Sequence, residues 1–233
     1  MALTLPFDPQ AAELMGHDVH LPAVPLERLS PQALRERFEA PPIWTPDVEV
    51  ERWAKVTAPR VAAVLVPLVM RAEPTVLLTQ RTAHLKAHGG QISFPGGRHE
   101  PTDTTLVDTA LREAHEEVGL NPERVEVLGS LPTYTTISGF IVTPVVGLLP
   151  PWELDDHLLG LKRDPGEVEE IFEVPLRYLM NPTHHERRAV EVPVMGRLEF
   201  MAMPWSPGAA QPTYFIWGAT AAMLRNLYRF LSA

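Results

Sequence analysis

The sequence predicts an α/β protein, and three observations support this class. Residues 60–70 are apolar and β-branched, and residues 140–149 are apolar along most of their length, as buried strands are. Residues 106–118 and 215–231 repeat apolar side chains at helical spacing. Glycine- and proline-containing turns separate these segments. A length of 233 residues fits one large domain or one domain with extensions.

The composition narrows the class of protein further. There is no cysteine, which excludes disulfides, thiolate catalysis and zinc–thiolate sites and suits a reducing, cytoplasmic location. The N-terminal residues lack a basic region and a long apolar core, so we expect no signal peptide. The longest apolar runs are shorter than the ~20 residues of a membrane span. The formal net charge of −9 disfavours nucleic acid as a partner, so a phosphate substrate would need a metal ion or a local basic patch.

Residues 1–57 are interpreted as a proline-rich, partly helical N-terminal extension, and residues 58–233 as the main domain. In the extension, Ser30 is the expected N-cap of a short helix with Pro31 at its first position, ending before Pro41. The extension is too apolar for a free tail. We therefore expect an ordered arm that packs on the main domain or on a second subunit of a homodimer.

The main domain begins with a strand at 60–70, interrupted at Pro67, which turns at 72–74 and returns at 75–80 as a hairpin. The elements expected after this hairpin are a basic loop at 81–91, the central helix from 106, strands at 124–134 and 140–149, an irregular loop at 150–164 that could cover a cleft, a helical turn at 176–180, a hairpin at 189–203 and the C-terminal helix at 215–231.

Two charged segments are interpreted as lying in solvent. Residues 184–188 are a mixed run of histidine, glutamate and arginine, and Arg225 and Arg229 are placed on the polar face of the C-terminal helix. The apolar stripe of that helix is interpreted as core packing, because two cations are too few for a helix that lies on a membrane.

The central helix gathers acidic side chains on one side. Glu113, Glu116 and Glu117 are spaced i, i+3 and i+4, so their carboxylates lie close together. Their repulsion costs roughly a few tenths of a kcal/mol per pair on an isolated helix, and a hard divalent cation would remove it. Arg112 can hold the carboxylate of Glu116 by a charge-assisted hydrogen bond. The alternative is an ordinary solvated acidic face.

These residues and their surroundings resemble the Nudix box, Gly-x5-Glu-x7-Arg-Glu-U-x-Glu-Glu-x-Gly-U, in which U is a bulky apolar residue. The chain departs from the pattern at Asp103, which stands in place of the first glutamate, at the small Ala114, and by one additional residue before the arginine. The matching residues are Gly97, Arg112, Glu113, Glu116, Glu117, Gly119 and Leu120.

The stretch from Leu77 to Gly97 resembles the signature of the coenzyme A pyrophosphatase branch of this family, Leu-Leu-Thr-x-Arg-(Ser/Ala)-x3-Arg-x3-Gly-x3-Phe-Pro-Gly-Gly. The longer box is also a feature of that branch. Thr82 replaces Ser or Ala, and Lys86 replaces the second Arg, which keeps the charge but loses the planar fork. A loop that carries cationic residues next to carboxylates suits an anionic substrate. The substrate-binding residues are expected to be Arg81, Lys86, His88, Gly96 and Gly97.

The resemblance implies an α/β/α sandwich with a mixed, curved sheet, and a hydrolase that uses Mg²⁺ or Mn²⁺ to cleave a diphosphate linked to another group. It implies that Glu113, Glu116, Glu117 and the backbone of Gly97 bind the metal ions. Arg112 is included in the catalytic set. For the coenzyme A branch, the products are 4′-phosphopantetheine and 3′,5′-ADP.

Residues 164–176 resemble a late segment of the family in which a glutamate often faces the metal site. Glu167 is our choice for that position, with Glu170 as the second candidate. Two other functions stay open. One is a pyrophosphatase for another nucleoside diphosphate derivative, such as ADP-ribose or a nucleoside triphosphate; the other is a ligand-sensing module without catalysis.

Overall fold

The structure is a computed structural model that describes residues 7–47, 60–84, 89–149, 160–193, 196–208, 211 and 213–233. The predicted loop residues Lys86 and His88, and residues 150–159 of the predicted irregular loop, lie outside the described residues. The helices and strands are β1 (Glu13–His17), α1 (Pro31–Glu39), β2 (Arg60–Val69), β3 (Thr75–Arg81), β4 (Ile92–Ser93), β5 (Gly96–Arg98), α2 (Leu106–Val118), β6 (Glu126–Ser130), β7 (Tyr134–Thr135), β8 (Phe140–Leu149), β9 (Val168–Pro175), α3 (Leu176–Leu179), β10 (Glu186–Val192), β11 (Gly196–Trp205), β12 (Tyr214–Trp217) and α4 (Gly218–Ser232).

The larger sheet is mixed, as predicted. In the described residues its strands run in the order β4-β3-β2-β8-β6, with β5 beside β2, β7 beside β8 and β9 beside β3. β2 and β8 are parallel along their whole length, and the other pairs are antiparallel. The expected interruption at Pro67 is wrong. Pro67 lies between the part of β2 that pairs with β5 and the part that pairs with β3, so the strand continues through it.

Helices cover both faces of this sheet, which confirms the sandwich. On one face, α2 buries Ala110, Ala114 and Val118 against β2 and β8. On the other face, the core is shared by α4, α1 and a second sheet, whose described strands follow the order β1-β10-β11-β12. The β10–β11 hairpin was predicted from the sequence, but its place in a separate sheet was not. No helix in the described ranges is long and apolar enough to cross a membrane.

The N-terminal segment is built into the fold of its own chain. The Ser30 side chain accepts a hydrogen bond from the N–H of Ala33, so the predicted cap of α1 is confirmed. β1, which the sequence analysis did not predict, pairs antiparallel with β10. Leu34 of α1 is fully buried in the larger core. The domain boundary at 57/58 stays a prediction, because these contacts join the two sides of it.

The C-terminal helix begins later than predicted. Residues 215–217, which we placed in the helix, belong to β12 and pair with β11. Gly218, at φ +60°, makes the break between strand and helix in a conformation that suits glycine. The helix was predicted too long because the apolar residues of the preceding strand continue its apolar pattern.

The placement of Arg225 on a polar, solvent-facing side of the helix is also wrong, since Arg225 is 2% exposed.

Arg225 is the centre of a buried ion-pair network. Its guanidinium lies 3.1 Å from the Asp18 carboxylate and 2.6 Å from that of Asp47, and both aspartates belong to the N-terminal segment. Arg187 binds Asp18 through two hydrogen bonds of 2.7 and 3.0 Å. The interpretation of residues 184–188 as solvated is wrong for His185, which is fully buried beside Arg225. Charge pairing with distant residues overrides the local tendency of these side chains to lie in water.

His185 is held as a neutral imidazole. Its Nδ1 is 2.9 Å from a guanidinium nitrogen of Arg225, which can only donate, so Nδ1 accepts and Nε2 donates to the Leu179 carbonyl at 2.7 Å. Burial lowers the pKa of His185 to about 4.

The free energy of unfolding should therefore fall as the pH drops from about 6.5 towards 4, because the unfolded chain takes up a proton there that folded His185 refuses. Urea titrations of the wild type and of His185→Gln at pH 7 and pH 5 measure this effect. We expect a smaller pH dependence in the variant, and an identical pH dependence in both proteins would contradict the assignment.

Candidate active site

The ends of α2 are fixed by local hydrogen bonds. The Thr105 side chain accepts from the N–H of Asp108, and the Asp108 side chain accepts from the N–H of Thr105, which is a reciprocal capping box. At the other end, the N–H of Gly119 donates to the His115 carbonyl. With one face of the helix packed in the core, the acidic side is directed towards β5 and the end of β3.

The two glycines of β5 allow two different close approaches. A Cβ atom at Gly96 would lie 2.5 Å from the backbone oxygen of Ala63 in β2. A Cβ atom at Gly97 would overlap the carboxyl group of Glu113 instead. Gly96 therefore lets the strand approach the sheet, and Gly97 lets its backbone touch the carboxylate that was predicted to bind metal.

Alanine substitutions should separate these two functions. Gly97→Ala is expected to keep the fold, because the Glu113 side chain can move away, but to lower turnover by about tenfold or more by displacing that carboxylate. Gly96→Ala meets rigid backbone and should lower the free energy of unfolding by about 1–3 kcal/mol. Circular dichroism melts and steady-state assays of both variants test this. Equal stability loss in the two would contradict it.

Glu117 is the most buried of the three predicted glutamates, at 4% exposure. Its Oε2 accepts from the N–H of Gly96 at 3.2 Å, and its Oε1 accepts from Nη1 of Arg81 at 3.3 Å. Burial raises the pKa of Glu117 to about 7, although the Arg81 charge and the Gly96 hydrogen bond act in the opposite direction. The negative charges of Glu167 and Glu113 raise it further. A cation at this carboxylate would relieve this unfavourable burial of charge.

Arg112 organises the other two glutamates. Its Nη1 donates to Glu113 at 3.0 Å and to Glu116 at 3.1 Å. Its other face binds Asp103 through two hydrogen bonds, Nε to Oδ1 at 2.8 Å and Nη2 to Oδ2 at 3.0 Å. The arginine holds the pKa of Asp103 well below its usual range. Asp103, whose role the sequence left open, therefore orients Arg112, and Arg112 orients the two carboxylates. Burial raises the pKa of Glu113 despite this contact.

The ends of β3 and β9 bring Arg81 and Glu167 to the same place. Nη2 of Arg81 is 3.6 Å from Oε2 of Glu167, whose side chain is half exposed. The backbone N–H of Thr82 donates to the Glu167 carbonyl at 2.9 Å, and the Thr82 hydroxyl, which an alanine would lack, donates to the Gly166 carbonyl at 3.3 Å. Glu170, our second candidate, accepts a hydrogen bond from the Tyr214 hydroxyl at 2.7 Å.

The residues of this site fit a divalent cation by their chemistry. Carboxylates and backbone carbonyls are the hard oxygen donors that Mg²⁺ and Mn²⁺ favour. The contact between Gly97 and Glu113 and the buried charge of Glu117 both suit a cation. The guanidinium groups of Arg81 and Arg112 form ion pairs with these carboxylates. Among the described residues, no three acidic or histidine side chains are already arranged to hold a cation.

Comparison with known proteins identifies the family. The family model for the NUDIX domain matches residues 59–193. A protein from Enterobacter sp. (strain 638), named as the uncharacterized Nudix hydrolase NudL, is 41% identical over 168 residues, which are 72% of this chain and 81% of that protein. The NudL of Salmonella paratyphi B is 42% identical over the same length. A solved MutT/nudix family protein from Enterococcus faecalis shares 18% identity over 86% of this chain and 74% of that chain, with a TM-score of 0.44. The chain therefore belongs to the Nudix hydrolase family, whose members act on pyrophosphate bonds.

Proposed function

We propose that this hydrolase cleaves the diphosphate bond of coenzyme A or a coenzyme A derivative to give 4′-phosphopantetheine and 3′,5′-ADP. One observation carries the proposal. Arg81 comes from the stretch that resembles the coenzyme A branch, and its guanidinium lies 3.3 Å from Glu117 of the Nudix box. The segment that would recognise this substrate therefore begins next to the carboxylates that would support its cleavage.

The proposed cofactor is Mg²⁺ or Mn²⁺, since the family generally depends on divalent metal ions. Glu113, Glu116, Glu117 and the backbone of Gly97 would hold the ions. When bound, such ions neutralise charge on the diphosphate and lower the pKa of a bound water. In this arrangement Arg112 keeps the carboxylates of Glu113 and Glu116 oriented.

Glu167 is the proposed general base. Its side chain is 50% exposed, so it stays in contact with water, whereas the oxygens of Glu117 are already used by Gly96 and Arg81. Glu167 directly precedes β9, which pairs with β3, and its carbonyl accepts from the N–H of Thr82 at 2.9 Å, so its backbone is fixed next to Arg81. A carboxylate positioned next to the attacking water contributes about 10²- to 10⁴-fold to the rate.

The substrate would be held by cationic groups from the segment that begins at the end of β3. Arg81 is at the end of β3, and Lys86 and His88, which lie outside the described residues, follow it in the sequence. Gly96 and Gly97 lie in β5, where their missing side chains would face the Ala63 backbone and the Glu113 carboxyl group, so they would contact the diphosphate through backbone groups alone. In a chain with a net charge of −9, such a basic segment would add to the bound metal ions in attracting a polyanion.

A substrate panel tests the proposal. Coenzyme A, its oxidised and acylated forms, dephospho-coenzyme A, ADP-ribose and nucleoside triphosphates would be incubated with Mg²⁺ or Mn²⁺, with and without chelator, and the products separated by chromatography. We expect kcat/KM for a coenzyme A compound to exceed that for ADP-ribose or triphosphates by at least about tenfold. A preference for ADP-ribose or a triphosphate would favour the second function. No turnover of any compound by folded protein would favour a ligand-sensing role.

A further inference from the structure

We propose that Arg81 is an internal counter-ion, which occupies the carboxylates of Glu117 and Glu167 until a divalent cation displaces it. The inference rests on the metal site of the proposed function. It adds a role for Arg81 in the protein without substrate, where the guanidinium competes with the metal ion for the carboxylate of Glu117.

Both carboxylate oxygens of Glu117 already have a partner. Oε2 of Glu117 accepts from the N–H of Gly96, and Oε1 accepts from Arg81. Because the side chain of Glu117 is only 5% exposed, it has little room for a further partner. A cation that ligates this carboxylate must therefore compete with Arg81, and two cations at one carboxylate also repel each other.

Arg81 is the guanidinium that can leave, whereas Arg112 cannot. The contacts of Arg81 are 3.3 Å to Glu117 and 3.6 Å to Glu167, longer than the ~2.7–2.9 Å typical of charge-assisted hydrogen bonds. Arg112 makes two hydrogen bonds to Asp103 of 2.8 and 3.0 Å, and that carboxylate is nearly fully buried. The two arginines at the carboxylates thus differ, one held loosely and the other fixed.

The movement needs only the side chain of Arg81. Its backbone N–H donates to the Gln91 carbonyl at 2.9 Å, and its carbonyl accepts from the N–H of Gly90 at 3.0 Å. These bonds fix both ends of the loop whatever the guanidinium does. Once displaced, the guanidinium is free next to the place where the proposed diphosphate would bind, so metal ion and anionic substrate should strengthen each other's binding.

Equilibrium binding of Mn²⁺ to the full-length protein without substrate, followed by electron paramagnetic resonance of free Mn²⁺, tests this role. We expect Arg81→Ala to bind Mn²⁺ about three- to tenfold more tightly than the wild type, because the competing cation is gone. The matched control is Lys162→Ala. Lys162 is exposed near the same end of α2, where its N–H donates to the Val118 carbonyl, so its removal measures the loss of one nearby positive charge. We expect less than about a twofold change for it.

The outcomes separate this inference from the proposed function. Glu117→Gln is measured in parallel. If Mn²⁺ binding does not depend on Glu117, the metal site is wrong and the proposed function is overturned with it. If binding depends on Glu117 but Arg81→Ala leaves the affinity unchanged or lowers it, only the counter-ion role is overturned. Arg81→Gln, uncharged but similar in length, replaces Arg81→Ala if that variant does not fold.

Discussion

Glu117→Gln is expected to lower turnover by roughly two to three orders of magnitude while the protein stays folded. The substitution removes the charge of a buried carboxylate that contacts both Gly96 and Arg81, and a metal ligand of this kind contributes several kcal/mol to stabilising the transition state. Steady-state assays on the preferred substrate measure the loss. Glu123→Gln, at an exposed position just beyond α2, is the matched control and should leave kcat unchanged. Near-normal turnover of Glu117→Gln would remove the central ligand of the proposed site.

The same variant should be more stable than the wild type at alkaline pH in the absence of metal. Folded Glu117 has a pKa raised to about 7, so it keeps a proton that the unfolded chain loses above about pH 4.5. The wild type therefore loses stability as the pH rises from about 4.5 through 7, whereas a glutamine does not titrate. We expect the two proteins to be equal near pH 4.5 and the variant to be more stable by about 1–3 kcal/mol at pH 8. Urea unfolding in chelator at both pH values measures this, and equal stability at pH 8 would contradict it.

Arg225→Ala is expected to lower the free energy of unfolding by about 3 kcal/mol or more. Removing this guanidinium leaves the buried carboxylate of Asp18 with one partner fewer and takes away the 2.6 Å contact to Asp47. It also removes the donor that faces Nδ1 of His185. The effect is large because these groups are already desolvated and cannot recover water without opening the core.

Two further variants test the origin of that loss. Arg197→Ala removes an exposed arginine whose partners are two exposed glutamates and the exposed Met15, and it should change stability by less than about 0.5 kcal/mol. A double-mutant cycle of Arg225→Ala with Asp18→Asn should be strongly non-additive, because the two side chains interact directly. Additive losses, or a loss from Arg225→Ala as small as that of the control, would show that the network does not hold the N-terminal segment to α4.

Local patterns in the sequence predicted the elements whose signals are short-range. The capped helix α1, the central helix α2 and the buried strand β8 all lie close to where the periodicity and the turn residues placed them. The acidic side of α2 is likewise a local property, since the spacing of Glu113, Glu116 and Glu117 depends on one helical turn. The prediction was wrong at β12, where apolar residues of a strand and a helix follow one another without a polar break.

Features that depend on distant residues were not predictable in this way. The second sheet needs β1 and β10, which are far apart in the chain. The pairing of Asp103 with Arg112 shows no helical spacing, and the burial of Arg225 and His185 depends on two aspartates from the N-terminal segment. The only signal of this network in the sequence was a charged residue, Arg225, within a mostly apolar helix.

The family and the acidic helix could be recognised from the chain alone, because the residues that carry them lie close together along it. Which carboxylate is buried, which arginine each one meets and how Gly97 contacts Glu113 became clear from the fold, because burial and charge pairing depend on neighbours in space. The β3–β9 pairing and the approach of β5 to α2 bring those neighbours together, and no spacing along the chain encodes the distances between them.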